Sequence, residues 1–288
     1  MISSKPIFSG FNLRPLGRKG DMVTPIGLAG SGIGHFRKPP YDVYKWGLNN
    51  GINLFMWVPP YKNMTKSIVE LPAQRRSELF IVSGVNRGGP KEIRDKVYTF
   101  LKTLKIEKLP CLLLFWVTSE SRVREPIIEE LVRLRDEGLC DNIGLSTHNR
   151  KMANELYTKN IFDIFMLRYN AAHRGLEQDF FDKLDSKRLP GVITYTSTRW
   201  NKLLRRPSSW NENLPRPGDL YRFPLSHQFV TATWMSPGNI EELKANLTEI
   251  AEGPLKPEED RFIRRFGDRV HESKSWGITN FFERSSRY

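Results

Sequence analysis

Eight short apolar runs alternate with stretches of helical spacing along most of the chain, and this rhythm limits the fold more than any other feature. The runs are Val23–Leu28, Asn53–Val58, Leu79–Val85, Cys111–Val117, Asn142–Ser146, Ile164–Tyr169, Val192–Tyr195 and Val230–Met235. Near-continuous apolar strands are what a parallel sheet covered on both faces requires. Between them, apolar residues recur at helical spacing. Glu92–Lys105 carries Ile93, Val97, Phe100, Leu101 and Leu104, Ile127–Glu137 carries Ile128, Leu131, Val132 and Leu134, and Ile240–Ile250 carries Ile240, Leu243, Leu247 and Ile250. Strands and helices in strict alternation make this an α/β chain. Eight units point to closure into a (β/α)8 TIM barrel, for which roughly 250 residues is the usual length. The expected arrangement is one domain over residues 1–288.

Three segments fall outside that rhythm. Leu13–Leu16 and Met22–Ile26 flank the turn Gly17–Asp21, which predicts an N-terminal β-hairpin closing the barrel bottom. Arg199–Asp219, with Pro207, Pro215, Pro217 and Gly218, reads as a long loop over the C-terminal mouth. Residues from about 255 to 288 form a C-terminal extra helix, Pro257–His271, and a tail, with Phe262, Ile263, Phe266 and Val270 on one helical face.

Composition excludes several classes. At 39% hydrophobic and 11% aromatic residues, the chain has material for a large core. No apolar run approaches the ~20 residues of a membrane span. The start, MISSKPIFSGF, has no apolar segment of the kind a secretory signal carries. Cys111 and Cys140 are too few for a disulfide framework or a four-cysteine metal site. The expected location is the cytoplasm. The net charge of +13 raises nucleic acid as a partner, but the positives are dispersed, with local enrichment only at 199–222 and 261–288. A solvated basic surface is the simpler reading, with no nucleic acid and no membrane as partners. The sharper one is a mouth that attracts an anion.

Sequence motifs of the common kinds are missing. Gly30-Ser31-Gly32-Ile33-Gly34 runs into His35-Phe36-Arg37-Lys38-Pro39-Pro40, which cannot begin a helix at once, so the dinucleotide fingerprint is not met. His35, His148, His173, His227 and His271 show no metal-ligand spacing, and no metal is expected. There is no G-x-S-x-G elbow or Walker loop.

A family resemblance runs through the chain in order. Arg14-Pro15-Leu16-Gly17-Arg18-Lys19-Gly20 followed by Val23-Thr24-Pro25-Ile26-Gly27-Leu28 resembles the opening hairpin and first strand of an aldo-keto reductase. Asn50-Gly51-Ile52-Asn53-Leu54-Phe55 resembles the family's second strand, and Gly138-Leu139 with Ile143-Gly144-Leu145-Ser146 its fifth. Arg168-Tyr169-Asn170, Gly191-Val192-Ile193-Thr194-Tyr195 and Ile240-Glu241-Glu242-Leu243 with Asn246 complete the series. The resemblance implies hydride transfer from a nicotinamide to a carbonyl, with a tyrosine protonating the nascent alkoxide. A free tyrosine titrates near ~10, so it needs a neighbouring lysine to act as an acid at neutral pH.

Carried over residue by residue, the resemblance keeps the tyrosine as Tyr61 and loses its helpers. Met56 stands at the aspartate position, Gly84 at the lysine position and Phe115 at the histidine position. The cofactor positions are mixed. Ser146, Tyr195 and Asn246 match, whereas Thr147, Met166 and Gly238 replace the family's other contacts. Loss of the phosphate-binding cation predicts weakened NADP binding, with NAD or no nucleotide as alternatives. Strand ends bring Trp57, Trp116, Arg168 and Arg199 to the mouth as a substrate pocket for an anionic or aromatic small molecule, and His148 is the remaining proton carrier. Two functions stay open. One is a nicotinamide-dependent oxidoreductase of small carbonyls with Tyr61 as acid and His148 assisting. The other is a catalytically inactive pseudoenzyme, or a non-redox ligand-binding or lyase-type barrel.

Overall fold

In the computed structural model, which describes residues 12–30 and 38–273, eight parallel strands close into a barrel. Before it lies a two-stranded antiparallel hairpin, β1 (Arg14–Leu16) and β2 (Asp21–Val23). The barrel strands are β3 (Ile26–Ala29), β4 (Leu54–Met56), β5 (Phe80–Val85), β6 (Leu109–Val117), β7 (Cys140–Thr147), β8 (Ile164–Arg168), β9 (Gly191–Tyr195) and β10 (Ala232–Met235). They pair in sequence order, and β10 closes on β3. The helices are α1 (Tyr41–Asn49), α2 (Lys62–Val69), α3 (Ala73–Ser77), α4 (Pro90–Leu104), α5 (Glu125–Asp136), α6 (Arg150–Thr158), α7 (Leu176–Asp179), α8 (Pro217–Leu225), α9 (Ile240–Ile250) and α10 (Pro257–Glu272). The expected (β/α)8 barrel with hairpin and extra helix is therefore present.

Two boundaries shift from expectation. Val23 belongs to the hairpin, where it pairs with Arg14, and the first barrel strand starts only at Ile26. The glycine run after β3 lies largely outside the described residues, as do His35 and the tail beyond Ser273.

Strand alternation separates two cores. Inward side chains fill the barrel, among them Leu54, Val82, Cys111, Leu113, Ile164, Met166, Ile193 and Trp234, with Leu16 and Val23 of the hairpin beneath them. Outward residues such as Phe55, Ile81, Leu112, Leu145 and Phe165 pack under the helices. The bottom is tied by Asn142, whose Oδ1 accepts from the Arg18 N–H at 2.5 Å while its Nδ2 donates to the Pro110 carbonyl at 2.9 Å. Closing the bottom with apolar side chains and a hydrogen-bonded turn leaves the strand C-termini as the end where a site can form.

The last helix is held by charge as well as by its apolar stripe. Arg222 of α8 is 2% exposed and donates to Asp219, Glu259 and the carbonyls of Gly253 and Pro254. The segment read as a loop over the mouth packs on α10, where Trp210 meets Phe262 and Phe266 edge-on.

Candidate functional site at the barrel mouth

Inward positions at the strand C-termini define the site: Met56 on β4, Gly84 on β5, Phe115 on β6, Ser146 and then His148 on and after β7, Arg168 on β8 and Tyr195 on β9. Met56, Phe115 and Tyr195 pack onto the interior core and form its top layer. This layer is apolar where the resemblance implies a charged proton relay.

Gly84 and Phe115 fit each other. A Cβ at position 84 would stand 2.6 Å from the Leu113 carbonyl oxygen and 2.7 Å from Cδ2 of the Phe115 ring. The ring thus fills the space a lysine stem would need. Met56 and Phe115 carry no ionisable group, so these three positions supply neither a cation nor a carboxylate to a tyrosine.

Tyr61 follows the Pro59-Pro60 turn beyond β4, and it stands at the N-cap of α2. Its ring closes over Gly30, where an added Cβ would meet Cζ at 2.3 Å, so glycine is required for this approach. Burial pushes the Tyr61 hydroxyl up to about 12, the opposite of what an acid working at neutral pH needs.

Trp57 does not line the mouth, contrary to expectation. It is fully buried, edge-on to Phe100 of α4 at 5.4 Å. The reason is strand parity: Met56 faces inward, so its neighbour faces the helices. Trp57 nevertheless bears on the site. Its Nε1 donates to Thr65 Oγ1 at 2.8 Å, and that hydroxyl donates to the Tyr61 carbonyl at 3.0 Å, fixing the first turn of α2. Trp116 is 41% exposed, with φ of 51° at a register shift in β6, so it stands outside the interior layer. Arg199 is also corrected. It is 5% exposed, and its Nη1 donates to the Val270 carbonyl of α10 at 2.6 Å. The left-handed turn Arg199–Trp200–Asn201 (φ 50°, 50° and 64°) follows β9. Arg199 fastens a helix rather than reaching into the mouth.

His148, Arg168 and Tyr195 do come together. Thr147 Oγ1 donates to the Val117 carbonyl and accepts from the Asn149 N–H, and Asn149 caps α6 through Met152 N–H. This tight turn sets His148 against Tyr195, with the Tyr195 hydroxyl 3.1 Å from His148 Nδ1 and the rings edge-on at 5.5 Å. Arg168 is directly opposite Tyr195 in the β8–β9 register. Burial, reinforced by the Arg168 charge, takes His148 down to about 4. His173, which sequence reasoning left out of the site, falls further, to about 2, through burial and then Arg168, Arg199, His271 and Arg150. Both imidazoles are neutral at pH 7. Its signal in the sequence was the Asn170-Ala171-Ala172-His173 turn, where the Asn170 side chain accepts from the Ala172 N–H and faces His173 Nδ1 at 3.2 Å.

For the nicotinamide nucleotide the resemblance implies, the residues fit at one end only. Ser146 is fully buried, and its hydroxyl has no hydrogen-bond partner, an orphan that a carboxamide would satisfy. At the other end, Asn246 is buried with Nδ2 3.7 Å from Met235 Sδ. The Glu242 carboxylate accepts from the Gly238 N–H at 2.9 Å, placing an anion where the resemblance implies a cation for phosphate. Two cavities lie away from this mouth. One of about 600 Å³ and one of about 420 Å³ lie along residues 209–216, beside Phe262 and the Arg265–Glu272 stretch of α10 respectively. Among the described residues, no cluster of His, Cys, Asp or Glu could hold a metal, and no helix is long and apolar enough to cross a membrane.

By sequence, the chain matches no family model and no curated protein. By structure it is similar to aldo-keto reductases. The holo form of an enzyme of Bacillus halodurans superposes with a TM-score of 0.76 at 18% identity, covering 92% of this chain and 99% of that one. An aldo-keto reductase of Klebsiella pneumoniae in complex with NADPH gives 0.72 at 17% identity, covering 90% and 95%. A thermostable aldo-keto reductase bound to the inhibitor epalrestat gives 0.69 at 20% identity, covering 88% and 99%.

Proposed function

From this aldo-keto-reductase-like fold, we propose that the protein is a small-molecule-binding barrel that does not reduce carbonyls through a tyrosine proton relay. The observation that carries the reading is the mutual packing of Gly84 and Phe115, which leaves no room for a lysine stem at position 84. It is supported by Tyr61, whose hydroxyl burial moves toward a weaker acid. Loss of general-acid tuning costs on the order of 10²–10⁴ in rate, so ordinary turnover falls toward background. The ligand class is a small anionic molecule, with Arg168 as anchor and Tyr195 and His148 beside it.

A second reading keeps a nicotinamide-dependent oxidoreductase acting on a small carbonyl. The orphan hydroxyl of Ser146 below the Tyr195 ring favours it. On that reading Glu242 disfavours a phosphate at the adenosine end, so NAD is preferred to NADP. We place the protein in the cytoplasm, where its two buried free cysteines stay reduced.

Titration with NADPH and with NADH, followed by tryptophan fluorescence, and turnover of an aldehyde panel separate the two readings. Nucleotide-dependent turnover abolished in Tyr61→Phe would overturn the relay-free reading. Turnover at the level of uncatalysed controls, equal in wild type and Tyr61→Phe, supports it.

A further inference from the structure

Helix α10 closes over the turn that follows β8. Gly267 lies so near this turn that an added Cβ would stand 2.2 Å from the Ala171 carbonyl oxygen. Arg174 Nη1 donates to that carbonyl at 2.6 Å and to the Arg264 carbonyl at 3.3 Å, while its Nη2 donates to Asp268 at 2.6 Å. Near the end of the helix the Val270 carbonyl accepts from Nη1 of Arg199, in the turn that follows β9. The helix thus grips two of the turns that border the mouth. Inside this contact the His271 ring meets the His173 ring edge-on at 5.4 Å. We propose that the His173–His271 contact is an acid-sensitive latch, which seats α10 on the β8 turn at neutral pH and lets it lift when His173 takes up a proton. The latch does not depend on how Tyr61 works, so it holds under either reading of the mouth.

His173 has little freedom to leave the contact. Its backbone N–H donates to the Asn170 carbonyl at 2.9 Å, and its Nδ1 faces Asn170 Oδ1 at 3.2 Å. Asn170 is fully buried and donates through Nδ2 to the Thr196 carbonyl at 2.8 Å, tying the β8 turn to the β9 turn. A charge formed on His173 therefore stays against α10. Arg168 of β8, Arg199 of the β9 turn, Arg150 of α6 and His271 of α10 all oppose that charge, and burial opposes it more strongly than any of them. Because burial is the largest cause, it is the covering of His173 that resists its proton, whatever partners the arginines hold. The carboxylates of this region are held by arginines: Asp268 by Arg174 at 2.6 Å, Asp179 by Arg150 at 2.6 Å and Glu272 by Arg269 at 3.0 Å.

Covering and protonation are therefore linked. Seated under α10, His173 is held down to about 2; with the helix lifted it returns to the ordinary ~6.5. A value depressed in the seated state makes the contribution to seating complete above ~6.5, and it is lost as pH falls below that. At pH 5 the uncovered imidazole is almost wholly charged while the covered one is neutral. The opening equilibrium is then about thirtyfold larger than at pH 8.

The test is hydrogen–deuterium exchange of the full-length protein, read peptide by peptide, with rates corrected for the intrinsic effect of pH. The expected result is a fall of about thirtyfold in the protection of α10 amides between pH 8 and pH 5, with β7 and β8 keeping theirs. In His173→Gln, whose side chain takes no charge, α10 protection is the same at both values. Should that variant fail to fold, a pH series on the wild type decides. Between pH 6 and pH 4 the logarithm of α10 protection falls by about one per pH unit, the slope of a single proton. Equal α10 protection at pH 5 and pH 8, a parallel loss in β7 and β8, or an undiminished pH effect in His173→Gln would each overturn the proposal.

Discussion

Gly84→Ala is the smallest perturbation that probes why position 84 holds no side chain. The added Cβ would lie 2.6 Å from the Leu113 carbonyl oxygen, against an ordinary contact of 3.4 Å or more, a shortfall of 3.4 − 2.6 = 0.8 Å. Leu113 is the direct β6 partner of Gly84, so the oxygen moves only if two adjacent barrel strands part. Overpacking of this kind costs about 1–3 kcal/mol, and replacing glycine returns about 0.4–1 kcal/mol by restricting the unfolded chain. The net expectation is a loss of about 1–2 kcal/mol, a fall in Tm of about 2–4 °C for a chain of this size. Part of the strain comes from the Phe115 ring at 2.7 Å, so a double-mutant cycle with Phe115→Ala shows a coupling of about 0.5–1 kcal/mol. Urea denaturation of the four proteins measures both quantities. A Gly84→Ala variant as stable as wild type, or a coupling of zero, would refute the claim that these two positions exclude a side chain at 84.

Three further outcomes follow from other parts of the molecule. Arg222→Met removes a 2%-exposed cation, leaving Glu259 without its cation and the Gly253 and Pro254 carbonyls without their donor, while Asp219 keeps its pair with Arg216; a loss of about 2–3 kcal/mol is expected by urea denaturation. His148 and His173 have folded values lowered to about 4 and about 2, below the unfolded ~6.5. Their stabilising contribution is thus complete above ~6.5 and is lost as pH falls through that value toward the folded ones; unfolding at pH 5 takes up about two protons more than at pH 8, a difference that His148→Gln and His173→Gln each reduce by about one. Tyr61, raised to about 12, contributes stability below the unfolded ~10 that is lost as pH climbs from there to 12, so its phenolate absorbance, obtained by difference from Tyr61→Phe, should rise only above pH ~11.

The barrel was legible because buried parallel strands and amphipathic helices write different periods into a sequence, and Ile240–Ile250 was read to the residue. The hairpin and first strand blurred together because Met22–Ile26 is one apolar stretch, and only pairing with Arg14–Leu16 assigns Val23. At the mouth, Met56, Gly84 and Phe115 could be read position by position as the residues standing where the resemblance implies a relay. Trp57 was misplaced because nearness to a strand end was counted without parity, information the sequence did hold. Arg199 was misplaced for a different reason: the left-handed turn at 199–201 contains no glycine, so nothing local marked it. The fit between Gly84 and Phe115 joins residues 31 positions apart on neighbouring strands, and it appears only once their register is known.

That fit also makes the two positions hard to exchange one at a time. Lysine at 84 beside the present ring has nowhere to go, and histidine at 115 beside an empty 84 finds only Met56 and the apolar barrel interior for company. A change at either position is therefore felt at the other, and the two are expected to vary as a pair rather than singly.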